Sequence, residues 1–216
     1  MARKSLKQGV VDEVHAAILR GELTAGQQVT ELGLARQLGV SQPTIREALI
    51  ELEHQGFIQR RGPRKTFITE LTEHDINEMY VVRTTLEQLV VDSLVSSGTA
   101  DLAECAQAHR QMLDAARDGR VEEFYQADLE FHRSLWRAAG NQTLTGMLEQ
   151  LVPRLFAFVV IQRANPETGT LQTIAEEHAQ LLRLIGAGDR EAAHKAAESS
   201  LRQAQADDSG LGTRHE

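Results

Sequence analysis

A chain of 216 residues, 41% apolar and only 4% aromatic, is long enough for one large packed domain or two modest ones. Its single cysteine, Cys105, excludes an internal disulfide framework. No apolar run approaches a bilayer span and the N-terminus lacks a signal-like apolar core, so the expectation is a cytoplasmic protein without a membrane partner. The net charge of −8 argues against nucleic acid only until its distribution is read: residues 1–70 hold 10 Lys+Arg against 8 Asp+Glu, a net of +2, whereas residues 71–216 carry −10.

In chain order, Gln8 to Arg20 reads as an amphipathic helix with Val10, Val11, Val14, Ile18 and Leu19 inward, stopped by Gly21. A turn-rich link, Gly21 to Gly26, leads to Thr30, which caps a second helix with Leu34, Ala35 and Leu38 on its inner stripe. Gly39 ends that helix and Val40 turns inward. Ser41 then caps a third helix, where Pro43 is tolerated because first-turn amides have no intrahelical partner. Ile45, Ala48, Leu49 and Leu52 recur at helical spacing until Gly56. Helix, glycine turn, helix is the skeleton of a helix-turn-helix, whose second helix enters the major groove of DNA. Two β-prone runs, Phe57 to Arg61 and Thr66 to Thr69, flank Gly62-Pro63 and predict a hairpin, the wing of a winged helix. Arg60, Arg61, Arg64 and Lys65 cluster at its tip, where a wing meets phosphates.

Thr72-Glu-His-Asp75 is an N-cap followed by first-turn acids, and it opens an all-helical region. Periodicity and punctuation predict helices at about 73–96, 100–117, 121–139, 143–163, 167–186 and 189–205, with Pro153 inside the fourth. The expected organisation is therefore a DNA-binding domain at 1–70, a helical domain at 71–206 and a polar tail at 207–216.

Within the helical region, Asp128 and His132 are four apart and share a face with Phe124, Tyr125, Leu129, Leu135 and Trp136 nearby. A carboxylate and an imidazole on an apolar face need partners. In any helical protein the plain answer is that they satisfy each other or neighbouring helices. Arg83 can clamp a carboxylate bidentately or pair with Glu87 one turn on. Asn141 reads as a helix cap and Cys105 as a small core residue.

Residues 8–70 resemble the winged helix of the GntR family of bacterial transcription regulators, chiefly through Gly39-Val-Ser-Gln-Pro-Thr-Ile-Arg-Glu-Ala-Leu49. Residues 73–205 resemble the helical ligand-binding domain of its FadR subfamily, the FCD domain. That likeness rests on Val82-Arg-Thr-Thr-Leu-Glu87, Asp128-Leu-Glu-Phe-His132, Gly140-Asn141, Glu177-His178 and Gly188-Asp189. The fold implied is mainly α: a winged helix-turn-helix with a small β-hairpin wing, then an all-helical FCD bundle.

The resemblance implies that Ser41, Gln42, Thr44 and Arg46 read DNA from the recognition helix and Arg64 and Lys65 from the wing. The alternative for Arg46 is an exposed salt bridge. Gln42 stands where the family commonly has Arg, and Pro43-Thr44 where Thr-Pro is usual; Gln pairs more naturally with adenine, so the operator is expected to depart from the common sites. The resemblance also implies a divalent metal, zinc or nickel, on Asp128, His132 and His178. The family's fourth ligand, a histidine, falls by register on Ser200, a poor metal ligand, and His194 is expected on the surface. Three ligands with an open position still suit zinc or nickel. The function implied is that of a homodimeric regulator, a repressor on a double-stranded operator. A small organic acid would release it, bound at Arg83 or at the metal, or by the same polar cluster without metal, with Ser200 on the effector side. Two further readings are a direct metal sensor and a metal-dependent hydrolase, the latter opposed by the lack of an obvious general base.

Overall fold

The computed structural model describes residues 5–62, 65–98, 100–162 and 169–212. Among them, nine helices and three short strands follow in the order α1 (Leu6–Leu19), β1 (Gln28–Val29), α2 (Glu31–Leu38), α3 (Gln42–His54), β2 (Ile58–Arg60), β3 (Thr66–Ile68), α4 (Glu73–Ser97), α5 (Ala103–Arg117), α6 (Val121–Ala138), α7 (Gln142–Gln162), α8 (Thr170–Gly186) and α9 (Arg190–Gly212). The chain divides into two compact units. One holds the residues up to Glu70 together with Pro153–Gln162, and the other Leu71–Val152 with the chain beyond Gln162.

The first unit is a winged helix. Thr30 caps α2 by accepting from the Gly33 amide at 3.0 Å, and Ser41 caps α3 by accepting from the Thr44 amide at 3.4 Å. Gly39, at φ 66°, takes the left-handed conformation that lets the chain leave α2 and enter α3 after three residues. Val10, Val11, Val14 and Ile18 of α1 meet Ile45, Ala48, Leu49 and Leu52 of α3 in one buried cluster with Val29, Ile58 and Ile68 of the strands. The hairpin expected from sequence gains a third strand: β1 pairs antiparallel with β3, giving the order β1-β3-β2 with Gln28 opposite Phe67 and Gln59 opposite Phe67 on the other side. Two residues are too few to carry an alternating pattern, which is why β1 read as part of a link.

Residues 153–162, part of the helical domain in the sequence reading, make their contacts with this unit. Ile161 packs against the winged-helix cluster, and Gly56 approaches the backbone of this segment so closely that a Cβ there would lie 2.4 Å from the Pro153 carbonyl oxygen. At φ 84°, Gly56 also adopts a backbone conformation that costs a residue with a side chain. The helix carrying this segment, α7, is long and apolar enough to cross a bilayer by length and composition, contrary to the expectation from uninterrupted apolar runs. Thr145, Gln150, Pro153 and Arg154 break those runs. In its most apolar window 56% is buried inside the protein, as in a core helix.

In the second unit α5 packs along α6, α4 along α9, and α8 against both α5 and α9. The buried side chains include Ile76 and Tyr80 of α4, Cys105 and Met112 of α5, Phe124, Phe131 and Trp136 of α6, and Leu171 and Ile185 of α8. Thr72 and Asp75 form a reciprocal capping box at the start of α4. The last helix runs on to Gly212, past the end expected at 205. Its final turns are tied to α4: Tyr80 donates to Asp208 at 2.6 Å, and Gln205 and Ser209 donate to Asn77 at 2.8 and 3.1 Å. Asp208 and Ser209 read as a tail in sequence because their partners lie about 130 positions away.

Candidate functional site

The two units present two different polar surfaces. On the winged helix, the N-terminal turn of α3 carries the expected DNA-reading residues. Gln42 is exposed, and the Ser41 and Thr44 hydroxyls lie 2.8 Å apart. Arg46 is exposed one turn on and donates bidentately to Glu31, Nε to Oε1 at 2.9 Å and Nη2 to Oε2 at 2.7 Å. Hydrogen bonds from Arg46 hold the Glu31 carboxyl below its ordinary range, and Glu31 in turn raises Arg46. Glu31 had no place in the sequence reading, because its partner lies 15 residues on, across the turn. In the wing, Arg60 pairs with Glu53 at 2.8 Å and Arg61 with Glu70 at 3.2 Å, while Lys65 is exposed. Arg64 lies outside the described residues.

In the helical unit, α4, α6 and α8 bring five buried polar side chains together. Burial on α4 recurs at Ile76, Met79, Tyr80, Arg83, Glu87, Val90, Val91 and Leu94, so Arg83 and Glu87 sit on the inward stripe. Asp128 and His132 lie on the buried face of α6, and His178 on that of α8. His178 Nε2 is 2.9 Å from Asp128 Oδ1 and 3.2 Å from His132 Nε2, and His132 Nε2 is 3.7 Å from Asp128 Oδ1. The Phe131 ring borders the site, its centroid 4.6 Å from that of His178.

The outer contacts fix which nitrogen faces inward. His178 Nδ1 lies 2.7 Å from the Ile174 carbonyl oxygen, so this nitrogen carries a proton and donates, turning Nε2 to the centre. His132 Nδ1 lies 3.4 Å from Glu87 Oε1. Arg83 Nε donates to the same Glu87 oxygen at 3.3 Å, and its Nη2 lies 3.3 Å from His132 Nε2. Glu87 therefore orients both Arg83 and His132, a role that sequence spacing signalled only for Arg83. Burial alone would raise Glu87, but His132 and Arg83 prevail and bring it down to about 2. Burial would likewise raise Asp128, and His178, His132 and Arg83 lower it instead. Burial works against a charged His178, yet Asp128 raises it; for His132, burial outweighs Glu87 and lowers it.

One carboxylate oxygen and two imidazole nitrogens are a donor set that suits zinc or nickel. A tetrahedral ion about 2.1 Å from each ligand sets donor-to-donor edges of about 3.4 Å, and the observed triangle has edges of 2.9, 3.2 and 3.7 Å. Asp128 Oδ1 is buried and receives no well-directed hydrogen bond, since His178 lies off the required line. The outer partners of both histidines, a backbone carbonyl and a carboxylate, are those that orient metal-ligating imidazoles. The residues fit a divalent ion. Arg83 already reaches the His132 lone pair that such an ion would take.

Of the remaining candidates, Ser200 Oγ donates to Glu177 Oε2 at 2.7 Å, so its hydroxyl is engaged away from the three donor atoms' own contacts. His194, half-buried rather than on the surface, lies 3.0 Å from Asp92 Oδ1. Asn141 caps α7 by accepting from the Leu144 amide at 3.1 Å. Cys105 is fully buried, and burial pushes its thiol up to about 11.

Residues 6–68 match the bacterial regulatory proteins of the gntR family, and residues 78–203 match the FCD domain. The chain is a GntR-family regulator with an FCD domain. A probable D-xylose utilization operon transcriptional repressor of Paenarthrobacter nicotinovorans is 29% identical over 196 residues, 91% of this chain and 85% of the relative. The gluconate operon transcriptional repressor of Bacillus licheniformis is 25% identical over 88% of this chain and 80% of its own length. The solved structure of Escherichia coli McbR/YncC shares the fold, with a TM-score of 0.72 at 22% identity, covering 99% of this chain and all of the other. This GntR-family chain is accordingly a DNA-binding transcription regulator, not an enzyme.

Proposed function

We propose that this GntR-family protein is a cytoplasmic, homodimeric repressor of the FadR subfamily that a small organic acid releases from its operator. Asp128, His132 and His178 hold a divalent metal, zinc or nickel, and Arg83 anchors the effector carboxylate. The observation that carries this reading is the triangle of inward-facing donor atoms, whose edges fall near those a tetrahedral ion requires. The charge balance agrees with it. Arg83, Glu87 and Asp128 sum to one negative charge, so a divalent ion leaves one positive charge for an anionic effector to neutralise. The ion would supply Lewis-acid attraction for a carboxylate at its open position. Arg83 would supply a planar fork, and Phe131 part of the apolar wall. The repressor names of the two curated relatives support the direction of control.

On the DNA side, Ser41, Gln42, Thr44 and Arg46 read the major groove while Arg64 and Lys65 of the wing bind phosphates. Glu31 holds the Arg46 guanidinium at the exposed surface through Nε and Nη2, and a guanine that takes this fork exchanges for Glu31. Two such helices in a dimer address half-sites about one helical turn apart. The coupling an effector must supply to release them is about 1–3 kcal/mol.

Metal content of the purified full chain, measured by mass spectrometry, tests the site. The expected result is close to one zinc or nickel per chain, lost in both His132→Ala and His178→Ala. A wild type that stays empty after excess metal and gentle desalting overturns the metal reading and leaves a polar pocket centred on Arg83. A second reading, the direct metal sensor, is favoured by the position of Arg83, which a metal must displace from His132. Operator affinity that changes on metal titration without any organic acid would select it.

A further inference from the structure

Each described arginine from the start of α3 to the end of the wing is held by a glutamate of the same unit. Arg46 of α3 meets Glu31 of α2, Arg60 of β2 meets Glu53 of α3 at 2.8 Å, and Arg61 meets Glu70, just past β3, at 3.2 Å. All three arginines are exposed and all three glutamates half-buried. The groups are seated by more than each other. Glu31 is the first residue of α2, where a helix N-terminus favours a negative charge. Glu70 lies on Gly26, where a Cβ would stand 2.7 Å from its Oε2, and the Arg61 guanidinium carbon is 4.9 Å from the centre of the Phe67 ring. The pairs also adjoin one another, since Arg46 is the main cause of the lowered Glu31 carboxyl and Arg60 adds to it. Three of the eight acids in residues 1–70 are placed in this way, so the face meets DNA largely neutralised.

We propose that Glu31, Glu53 and Glu70 are built-in competitors of the DNA phosphates, and that Glu31 makes Arg46 selective for a base over the backbone. A free guanidinium that binds a phosphate releases condensed cations, which drives sequence-independent binding. A guanidinium already held by a carboxylate exchanges one anion for another instead. The freed carboxylate then faces the charge of the duplex and gathers a cation of its own, so most of the gain is lost. A guanine edge differs, because its O6 and N7 are acceptors without net charge. The base that displaces Glu31 does not drive it away, and the penalty on Arg46 is lighter at guanine than at phosphate. Arg60 and Arg61 would meet phosphates on any sequence, so Glu53 and Glu70 lower affinity without sorting sequences. This inference rests on the reading of α3 and the wing as the DNA face, and adds what holds that face back on the wrong sequence.

Fluorescence anisotropy of labelled duplexes with the full chain tests it, on an operator selected from random DNA and on a scrambled duplex of the same composition. Circular dichroism is the control for folding. Glu31→Gln, Glu53→Gln and Glu70→Gln are each expected to tighten binding to the scrambled duplex about two- to fivefold, the range set by an exposed pair. Each should also steepen the fall of log K with log salt by up to about 0.9. Glu31→Gln is expected to gain less on the operator than on the scrambled duplex, so the ratio of the two affinities falls. Glu47→Gln removes the same charge from an exposed glutamate of α3 that pairs with no arginine among the described residues, and should tighten binding less than any of the three. Equal gains from Glu47→Gln reduce the effect to net charge and overturn the proposal, as does unchanged affinity of the three variants for scrambled DNA. A ratio that Glu31→Gln leaves unaltered overturns the selective role of Glu31. Wild-type operator affinity in Arg46→Ala overturns the reading of the DNA face, and this inference with it.

Discussion

The winged helix and the helical unit each rely on an arginine–glutamate pair, and the two pairs are opposites. Arg46 and Glu31 meet through two short bonds of 2.7 and 2.9 Å, with side chains 59% and 34% exposed. Arg83 and Glu87 meet through one bond of 3.3 Å, with side chains 4% and 7% exposed. By bond length the first pair is the stronger, but by consequence it is the weaker. Water competes for both partners of an exposed pair, which makes its contribution to folding small and its partners free to exchange. The buried pair has no solvent to fall back on, so losing either member strands the other. The same pairing chemistry is thus exchangeable at the surface of the winged helix and fixed in the core of the helical unit.

Breaking that contrast should show first at Arg83. Substitution Arg83→Met leaves Glu87 buried without its guanidinium and is expected to cost about 3–5 kcal/mol, read in urea denaturation, with the Arg83→Met/Glu87→Leu double variant recovering most of the loss. A single-variant loss under about 1 kcal/mol would place the buried pair in the same class as the exposed one. A smaller effect is expected at Gly56, where the winged helix is held by backbone fit rather than by charge. Gly56→Ala strains a residue at φ 84° and pushes a methyl group into the Pro153 carbonyl, and it should cost about 2–3 kcal/mol. The same denaturation experiment reads it. The least effect on folding belongs to Arg46→Ala, whose thermal midpoint should stay within about 2 °C of the wild type. Its operator affinity should nevertheless fall at least about tenfold in a gel-shift titration on a site that the wild type selects from random DNA. Unchanged affinity would mean that Arg46 serves the surface salt bridge alone.

What sequence could express was local. Thr30, Gly39 and Ser41 announce their caps and turn within four residues, and Ile45, Ala48, Leu49 and Leu52 announce the buried face of α3. All four features stand in the structure as expected. The trio Asp128, His132 and His178 was legible because two of its members are one helical turn apart and the third follows the family's spacing. Glu87 as an orienting partner of His132 was not, since that contact joins α4 to α6 and no periodicity within either helix encodes it. The same limit hid the link between Tyr80 and Asp208, which makes the last turns of α9 part of the core, and the two-residue strand β1. The contacts of residues 153–162 with the winged helix were hidden for a different reason. One unbroken helix reads as one domain, even when its two halves serve different cores.

That division of α7 bears on how such regulators can be recombined. A chimera that joins the winged helix of this chain to the effector domain of a relative at Glu70 would import a foreign segment in place of 153–162. Gly56 would then face a backbone it was not shaped against, and Ile161 would be replaced on the apolar cluster. A crossover at Glu70 separates the winged helix from the segment it packs on. In this chain the winged helix and residues 153–162 are shaped to each other, so the two stretches are best exchanged together.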